Sequence, residues 1–349
     1  MATFYKLSVM DIKKETHQAV SIAFEIPDVL KDKFKFIAGQ YITIKTTINN
    51  QEIRRAYSIC TAPQTGEIRI VVKEIENGTF SVYANHNLKV GAVLEVSEPE
   101  GKFILKTNPN HKKNYLAFAA GSGITPIMAM IQAVLLEEPN SKFVLVYGNK
   151  TVKDTIFYQD LNLLQKKYSN QLTVQYVFSR EQPDGALFGR IDTSVVNYIL
   201  NKNKDVPFND AYLCGPEPMI NLVKETLESK NFKAEQIHFE LFTPSEDKET
   251  TKITLDGKAI VTVLLDDEEE TFEMDKKETI LDAALKHNLD APYSCQGGIC
   301  SSCIAKVTDG KAIMDKNTIL SKDEVAQGLI LTCQAHPVTD KIAVDYDDV

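Results

Sequence analysis

The chain has 349 residues, 43% of them hydrophobic and 25% charged, with a formal net charge of −9. That length supports two or three domains, and the negative balance disfavours nucleic acid as a partner, because phosphate binding needs the opposite sign. Six cysteines in no regular framework argue against a disulfide-built secreted fold.

The first segment runs to about Thr107 and starts without a long apolar run behind basic residues, so no signal peptide is expected. Together with the cysteine usage, this points to a cytoplasmic protein. Short strand patterns recur at Tyr41-Ile42-Thr43-Ile44, Ile68-Arg69-Ile70-Val71-Val72 and Val93-Leu94-Glu95-Val96. Turn signals at Gly39, Gly66, Gly78 and Gly91 separate them, and regular short strands of this kind predict a small antiparallel barrel. Within it, Arg54-Arg55-Ala56-Tyr57-Ser58 sets cation, aromatic ring and hydroxyl along one strand. Alternation puts Arg55 and Tyr57 on one face, which suits a flat phosphorylated ligand: the ring stacks and the guanidinium holds phosphate. Alone, the same pattern equally describes an exposed strand with a cation–π pair.

The second segment, about His111 to Phe242, alternates strand and helix patterns. Tyr115 to Ala120 is a continuous apolar run ending in Gly121-Ser122-Gly123, followed by a helix-like stretch from Thr125 to Glu137. The glycines and Pro126 interrupt the most apolar part of the chain, which reads as buried strand and helix rather than a membrane span. Phe143 to Tyr147, Leu172 to Phe178 and Ala211 to Cys214 repeat the strand pattern, predicting a doubly wound parallel sheet. Ligands of such sheets bind outside the carboxyl ends of the strands, with phosphate on a helix N-terminus. Gly121 to Pro126 and Cys214-Gly215-Pro216 are both strand-to-helix turns at such ends. Each is a weak signal alone, since Pro at a helix start is ordinary.

Thr243 to Thr250 is polar and aperiodic and reads as a linker. Beyond it lies an acidic segment: from Lys252 to Val349 there are 19 Asp and Glu against 10 Lys and Arg, a net of −9. Its run Asp266 to Glu270 reads as a solvated hairpin tip, while the segment as a whole would steer encounter with a basic partner.

Cys295, Cys300 and Cys303 follow C-x4-C-x2-C spacing with Cys333 far downstream, the plant-type arrangement for a [2Fe–2S] cluster. Gly297 and Gly298 free the loop to turn backbone N–H groups toward cluster sulfurs, and Ser301 and Ser302 add hydroxyls. The alternatives are a zinc site or a disulfide pair. Zinc sites usually pair two short C-x2-C hooks, whereas here one hook is unpaired and Cys333 stands alone.

Together these motifs resemble the ferredoxin–NADP⁺ reductase superfamily with a plant-type ferredoxin domain fused at the C-terminal side. Arg55-x-Tyr57-Ser58 matches its flavin motif and Gly78-Thr79-Phe80-Ser81 its second flavin loop. Gly121 to Pro126 matches the G-x-G-x-x-P of the pyridine nucleotide site, and Cys214-Gly215-Pro216 matches C-G-P near the nicotinamide. The resemblance covers essentially the whole chain, in family order. It implies a multidomain fold: a flavin-binding antiparallel β-barrel over 1–107, an NAD(P)-binding α/β doubly wound parallel sheet over 111–242, a linker over 243–250, and an α+β ferredoxin-like β-grasp domain over 251–349.

The resemblance also implies an oxidoreductase that passes electrons from NADPH through FAD to a [2Fe–2S] cluster and on to an oxygenase component. RAYSIC, YGNK, FSREQ and CGPEPM look most like the reductases of phenylacetyl-CoA epoxidases. Related fused reductases serve Rieske-type and other ring-hydroxylating oxygenases, and a redox sensor or simple electron carrier is the reading from another class. FAD is expected rather than FMN, and NADPH rather than NADH. The implied catalytic residues are Ser58, near the reactive flavin nitrogen, and Cys214, near hydride transfer. Arg55, Ala56, Tyr57, Val72, Lys73, Gly78, Thr79 and Ser81 are the implied flavin contacts, with Arg55 and Ser81 at phosphate. Gly121, Gly123, Thr125, Pro126, Gly215 and Pro216 go with the nucleotide, Ser179, Arg180 and Arg190 with a 2′-phosphate, and Glu240 and Phe242 border the flavin. Cys295, Cys300, Cys303 and Cys333 are the implied iron ligands. One departure is Gln296, where plant ferredoxins commonly carry a basic residue.

Overall fold

The computed structural model describes residues 3–242 and 255–349, so the expected linker lies outside the described residues. These divide into two compact units, one holding residues 4–242 and the other the C-terminal part. Among the described residues no helix is long and apolar enough to cross a membrane.

The first unit opens with β1 (Phe4–Thr16), β2 (Ala19–Glu25), β3 (Tyr41–Ile48), β4 (Gln51–Ser58), β5 (Ile68–Lys73), helix α1 (Thr79–His86) and β6 (Val93–Ser97). The strands pair antiparallel in the order β4-β3-β6-β1-β2-β5. A bridge between Ile59 and Ile70 brings the two outer strands together, so the sheet closes and leaves no long free edge. Inward positions such as Ile22, Ile42, Ile44, Ile70 and Val96 are at most 1% exposed and fill the interior. Gly78 to Ser81 is the start of α1 rather than a loop: Gly78 caps the helix, and Ser81 Oγ accepts the Ile75 N–H at 3.2 Å.

A parallel sheet follows, made of β7 (Asn114–Ala120), β8 (Lys142–Asn149), β9 (Leu172–Phe178), the two-residue β10 (Leu187–Phe188), β11 (Asp210–Gly215) and β12 (Ile237–Leu241). Helices α2 (Ile124–Glu137), α3 (Tyr158–Lys167), α4 (Thr193–Lys202) and α5 (Glu217–Glu228) connect them. The strand order β10-β9-β8-β7-β11-β12 makes β7 and β11 the neighbours at which the winding reverses, the place where such sheets bind ligands. Pro126 is tolerated as the third residue of α2 because its missing N–H has no intrahelical partner there. One apolar core joins α2 and the parallel sheet to Ala38, Cys60, Ala62, Phe103 and Leu105 of the barrel segment. Polar ties reinforce it, including Gln132 Nε2 to the Cys60 carbonyl at 3.3 Å and Lys13 to Asp160 at 3.4 Å.

The second unit contains β13 (Lys258–Leu265), β14 (Glu268–Asp275), α6 (Ile280–Lys286), β15 (Ile304–Asp309), β16 (Ala312–Met314), α7 (Lys322–Ala326), β17 (Leu329–Leu331), β18 (Ala335–Pro337) and β19 (Lys341–Asp345). Its mixed sheet runs β14-β13-β19-β15-β17, with β16 and β18 paired separately. Asp266 and Asp267 join β13 to β14 with φ of 57° and 61°, the two-residue turn that matches strand twist. The acidic run therefore sits at an exposed hairpin tip.

Beneath the parallel sheet, Glu138 is fully buried and accepts the Asn108 N–H at 3.0 Å and Tyr115 Oη at 3.0 Å, with His111 Nδ1 at 2.8 Å. Glu138→Leu strands these groups without partners, so it should cost at least about 2 kcal/mol. Urea unfolding followed by circular dichroism checks this; a wild-type midpoint would mean that the network adds nothing.

Candidate functional site

Close backbone approach builds the nucleotide turn. Gly121 has φ of +55° and starts a tight turn through Gly123 into α2. A Cβ at Gly123 would lie 2.2 Å from the Cys214 carbonyl oxygen and 2.9 Å from Gly215 N, so only glycine lets the two turns meet. Gly215 is similarly confined by Met219 and Ala120, and Pro216 caps α5. Thr125 is buried and donates its hydroxyl to the Ser122 carbonyl at 3.1 Å.

Strand register then brings three side chains together. Cys214 lies opposite Glu240 in the β11–β12 ladder, and Ser58 at the end of β4 donates from Oγ to Glu240 Oε2 at 3.4 Å. Glu240 is half-buried. Desolvation there pushes its carboxyl up to about 8, against the pull of the Ser58 hydrogen bond. Burial also pushes the Cys214 thiol well up, and the neighbouring Glu240 adds to it. Phe242, just beyond β12, packs half-buried on the core shared with α2.

On β4 the adjacent arginines part company. Arg54 is 4% exposed and pairs with Glu52 at 2.9 Å. Arg55 is exposed, donates to the Arg54 carbonyl at 2.7 Å, and has no carboxylate partner among the described residues. Its charge acts on Tyr57, whose phenol burial pushes up, consistent with one shared face. Tyr57 leans on Phe80 of α1 at 5.6 Å between ring centroids, while Ala56 is half-buried between Arg55 and Tyr57 in the strand. A Cβ at Gly78 would lie 2.2 Å from Ser81 Oγ, so a larger residue would displace that hydroxyl; Thr79 opens the helix behind it. Ser81 accepts through Oγ and retains its own hydroxyl proton to donate. Val72 is wholly buried in the barrel core, and its carbonyl accepts from Asn85 Nδ2 at 3.1 Å.

Cations gather at the carboxyl ends of the parallel strands. The space above Gly121 lies 3.8 Å from Lys73 Nζ. Burial lowers the Lys73 pKa first, and the charge of Lys150 lowers it further. Ser179 and Arg180 extend the strand edge, donating their N–H groups to the Asn149 and Lys150 carbonyls at 3.0 Å each. Arg180 and Arg190 are both exposed with no carboxylate partner among the described residues. Glu181, the obvious candidate to neutralise Arg180, instead accepts the Val152 N–H. Sequence patterning gave no role to Lys150 or to Asn149, whose buried Nδ2 has no hydrogen-bond partner; their place at the end of a strand was the signal that could have found them.

In the C-terminal unit all four cysteines of the motif converge. Cys295 interacts with Cys300 and Cys333, and Cys303 with Cys333. Neighbouring thiols, Cys300 first, hold Cys295 well below the ordinary thiol range, helped by the Gly297 and Ile299 N–H groups. Gln296 and Gly298 have φ of 51° and 70°, and Gly297 N lies 3.4 Å from Cys295 Sγ. Among the described residues no group of three metal-binding side chains is placed to hold one metal ion. Ser294 Oγ, buried beside them, has no hydrogen-bond partner. Converging thiols, an inward N–H group and an orphaned hydroxyl fit a cluster whose sulfurs accept hydrogen bonds. The flavin and nucleotide surfaces fit as well, through the glycine cradles and uncompensated cations.

Glu240 generates a pH prediction. An unfolded carboxyl with the ordinary value of 4.5 ionises first, so the stabilisation from a protonated Glu240 is complete below that pH. It is lost as pH rises toward about 8. Cofactor-free protein should lose about 1 kcal/mol or more of urea stability across this window, and Glu240→Gln should flatten the slope. An identical slope in the variant would assign the effect elsewhere.

Comparison with known proteins agrees with this geometry. An oxidoreductase FAD-binding domain model matches residues 6–104, an oxidoreductase NAD-binding domain model 118–225, and a 2Fe-2S iron-sulfur cluster binding domain model 263–338. The chain is 40% identical over 360 residues to a component of the 1,2-phenylacetyl-CoA epoxidase of Escherichia coli K12, covering 99% of each. It is 32% identical to the ferredoxin reductase component of 3-ketosteroid-9-alpha-monooxygenase from Rhodococcus rhodochrous, covering 97% of this chain and 96% of that one. Phthalate dioxygenase reductase shares the fold at a TM-score of 0.63 and 23% identity, with 98% of each chain covered. The chain therefore belongs to the ferredoxin–NADP⁺ reductase superfamily, as an oxidoreductase carrying FAD-binding, NAD-binding and plant-type [2Fe–2S] domains.

Proposed function

We propose that this chain is the NADPH-dependent reductase of a multicomponent oxygenase acting on phenylacetyl-CoA. The acceptor reading rests on the 40% identity that spans both chains end to end. The chemical reading rests on Ser58, Cys214 and Glu240 meeting where the barrel abuts the switch point of the parallel sheet. The reading divides the chain at 1–107, 111–242 and 251–349 with a linker over 243–250, and places the protein in the cytoplasm. Bound FAD supplies the conversion between a two-electron hydride donor and a one-electron cluster.

Each side chain then has a task. Tyr57 stacks on the flavin, Ser58 presents its hydroxyl to the reactive edge, and Arg55 and Ser81 hold phosphate, with Ala56, Gly78 and Thr79 shaping the cradle. Lys73 joins the flavin contacts at the seam with Gly121. Val72 serves from behind, through the barrel core. Gly121, Gly123, Thr125, Pro126, Gly215 and Pro216 shape a groove narrow enough to bring a nicotinamide against the flavin. Cys214 keeps that groove dry and uncharged, Glu240 holds a proton on its carboxyl below about pH 8, and Phe242 closes the edge. Ser179, Arg180 and Arg190 take a 2′-phosphate, with Lys150 adding a cation. Cys295, Cys300, Cys303 and Cys333 hold the irons.

Turnover is the first test of this reading. The purified protein should be brown-yellow, release FAD on heating, and reduce cytochrome c with NADPH; a sensor would show almost no turnover. With the oxygenase component of a phenylacetyl-CoA epoxidase it should support epoxidation, whereas coupling only to a steroid oxygenase would favour the second relative's acceptor. Cys295→Ser should abolish the cluster spectrum yet leave flavin reduction by NADPH at the wild-type rate. Failure to reduce flavin would mean that the two halves are not independent. Losing a charged hydrogen-bond partner costs roughly 1.5–3 kcal/mol, so Arg180→Ala should raise KM for NADPH at least about tenfold and hardly change KM for NADH. Equal effects on both would remove Arg180 from the phosphate site.

A further inference from the structure

Tyr147 stands near the carboxyl end of β8 and is wholly buried. Its ring packs in the core shared with Ile124 of α2 and with Phe157, where a phenylalanine would fill the same space. A buried hydroxyl is costly unless it is hydrogen-bonded, so the reason for a tyrosine lies in what its oxygen reaches. Oη lies 3.0 Å from the Gly121 carbonyl oxygen and 3.3 Å from that of Ile156. The phenol has one proton to give, and the Gly121 carbonyl is the nearer acceptor.

Gly121 is the residue on which the nucleotide turn pivots, with φ in the left-handed region at +55°. Its carbonyl also accepts the N–H of Ile124, the first residue of α2. Two donors from the protein interior therefore hold that oxygen inward. The Gly121–Ser122 peptide is trans, and in a planar trans peptide the N–H points opposite to the carbonyl. The Ser122 N–H is thus directed away from Tyr147. Gly121 and Ser122 are half-buried whereas Gly123 is buried, so the outer side of the turn is open to a ligand. Lys73 Nζ lies 3.8 Å from where a Cβ of Gly121 would be. An outward N–H at the entry to a helix, beside a cation, makes a receptor for an anion.

We propose that Tyr147 is a positioning residue for the pyridine nucleotide: its hydroxyl clamps the Gly121 carbonyl inward and so holds the Ser122 N–H outward, where with Lys73 it takes the diphosphate. The proposal rests on the reading of this turn as the nucleotide site. The diphosphate is common to NADPH and NADH, so the clamp serves both alike, whereas Arg180 serves the 2′-phosphate. Without the phenol hydroxyl the Gly121 carbonyl keeps only the Ile124 N–H. The peptide is then freer to rotate, and binding has to restore its orientation at a cost in affinity.

The test uses the full holoprotein in its oxidised state, with NADP⁺, NAD⁺ and adenosine 2′-monophosphate as probes in calorimetric titrations. Tyr147→Phe should weaken NADP⁺ and NAD⁺ by the same factor, at least about threefold for one neutral hydrogen bond. Adenosine 2′-monophosphate carries no diphosphate, so its affinity should stay at the wild-type value. In turnover, KM for NADPH should rise with the dissociation constant while kcat holds. Arg180→Ala should give the opposite pattern, weakening NADP⁺ and adenosine 2′-monophosphate and sparing NAD⁺. Unchanged affinities in a folded Tyr147→Phe protein overturn the proposal, even if its melting temperature falls. Equal loss for all three probes overturns it too, since that marks a general loosening of the domain. If Tyr147→Phe does not fold, the amide resonance of Ser122 in wild type labelled with ¹⁵N-serine decides. It should move on adding NADP⁺ or NAD⁺ and not on adding adenosine 2′-monophosphate; a resonance indifferent to both dinucleotides overturns the proposal. Wild type that binds neither dinucleotide would sink the nucleotide reading itself, and the clamp with it.

Discussion

The approach of the Gly121–Gly123 turn to the backbone of Cys214 and Gly215 is the constraint on which the rest of the first unit depends. The two segments close to a distance that a single added Cβ would violate by more than an ångström: 2.2 Å to a carbonyl oxygen, where ordinary contacts begin near 3.4 Å. That closeness is possible because β7 and β11 are sheet neighbours whose connections leave in opposite directions. It sets the carboxyl end of β11 beside the barrel residue Ser58, which reaches Glu240 opposite Cys214. The backbone fixes this closeness, and side chains set its chemistry.

The chemistry they impose is an unusually dry carboxyl. Glu240 is drawn up to about 8 chiefly by desolvation, opposed by one long hydrogen bond from Ser58. A carboxylate left so poorly solvated is costly, so the group remains neutral near pH 7. In the function proposed above, neutrality suits a surface that receives a hydride without stranding charge next to it. A few residues away the sign reverses: Lys73 and Lys150 face each other without full compensation, and Arg180 is left free because Glu181 turns to the Val152 N–H. The site is thus polarised, uncharged at its reacting end and cationic where phosphate would lie.

Much of this was legible in the residues. The apolar runs at Tyr115–Ala120 and Leu172–Phe178 coincide with the buried strands β7 and β9, because parallel strands covered on both faces must be apolar throughout. The cysteine spacing brought four thiols together as expected. Local patterning failed where tertiary context decided the outcome. Gly78-Thr79-Phe80-Ser81 read as a loop, yet it opens α1, since glycine can cap a helix as well as interrupt a chain. Alternation set Arg55 on the face of Tyr57, but the burial of its neighbour Arg54 against Glu52 came only with the closed barrel. Val72, expected among the flavin contacts, has its side chain in the barrel core. Lys150 acquires its meaning only from Lys73, distant in the chain, which no local pattern can convey.

The C-terminal unit obeys a different logic, with its core serving its loop. Val261, Val263, Ile342 and Val344 stack the central strands, and the same cluster continues to Cys303, Leu331 and Cys333. The two thiols are therefore held by residues that are nearly immobile for packing reasons, at 1% and 5% exposure. Cys295 and Cys300 hang from a loop that reaches its shape only through positive φ at Gln296 and Gly298. Gln296 carries a conformational cost there that glycine would not, yet its carbonyl gains the Gln334 side chain as a donor at 3.2 Å. That contact ties the loop to the residue following Cys333. A rigid half set in the core and a loop half pinned back to it keep four ligands in register through changes of charge, and this rigidity is what low reorganisation during single-electron transfer requires.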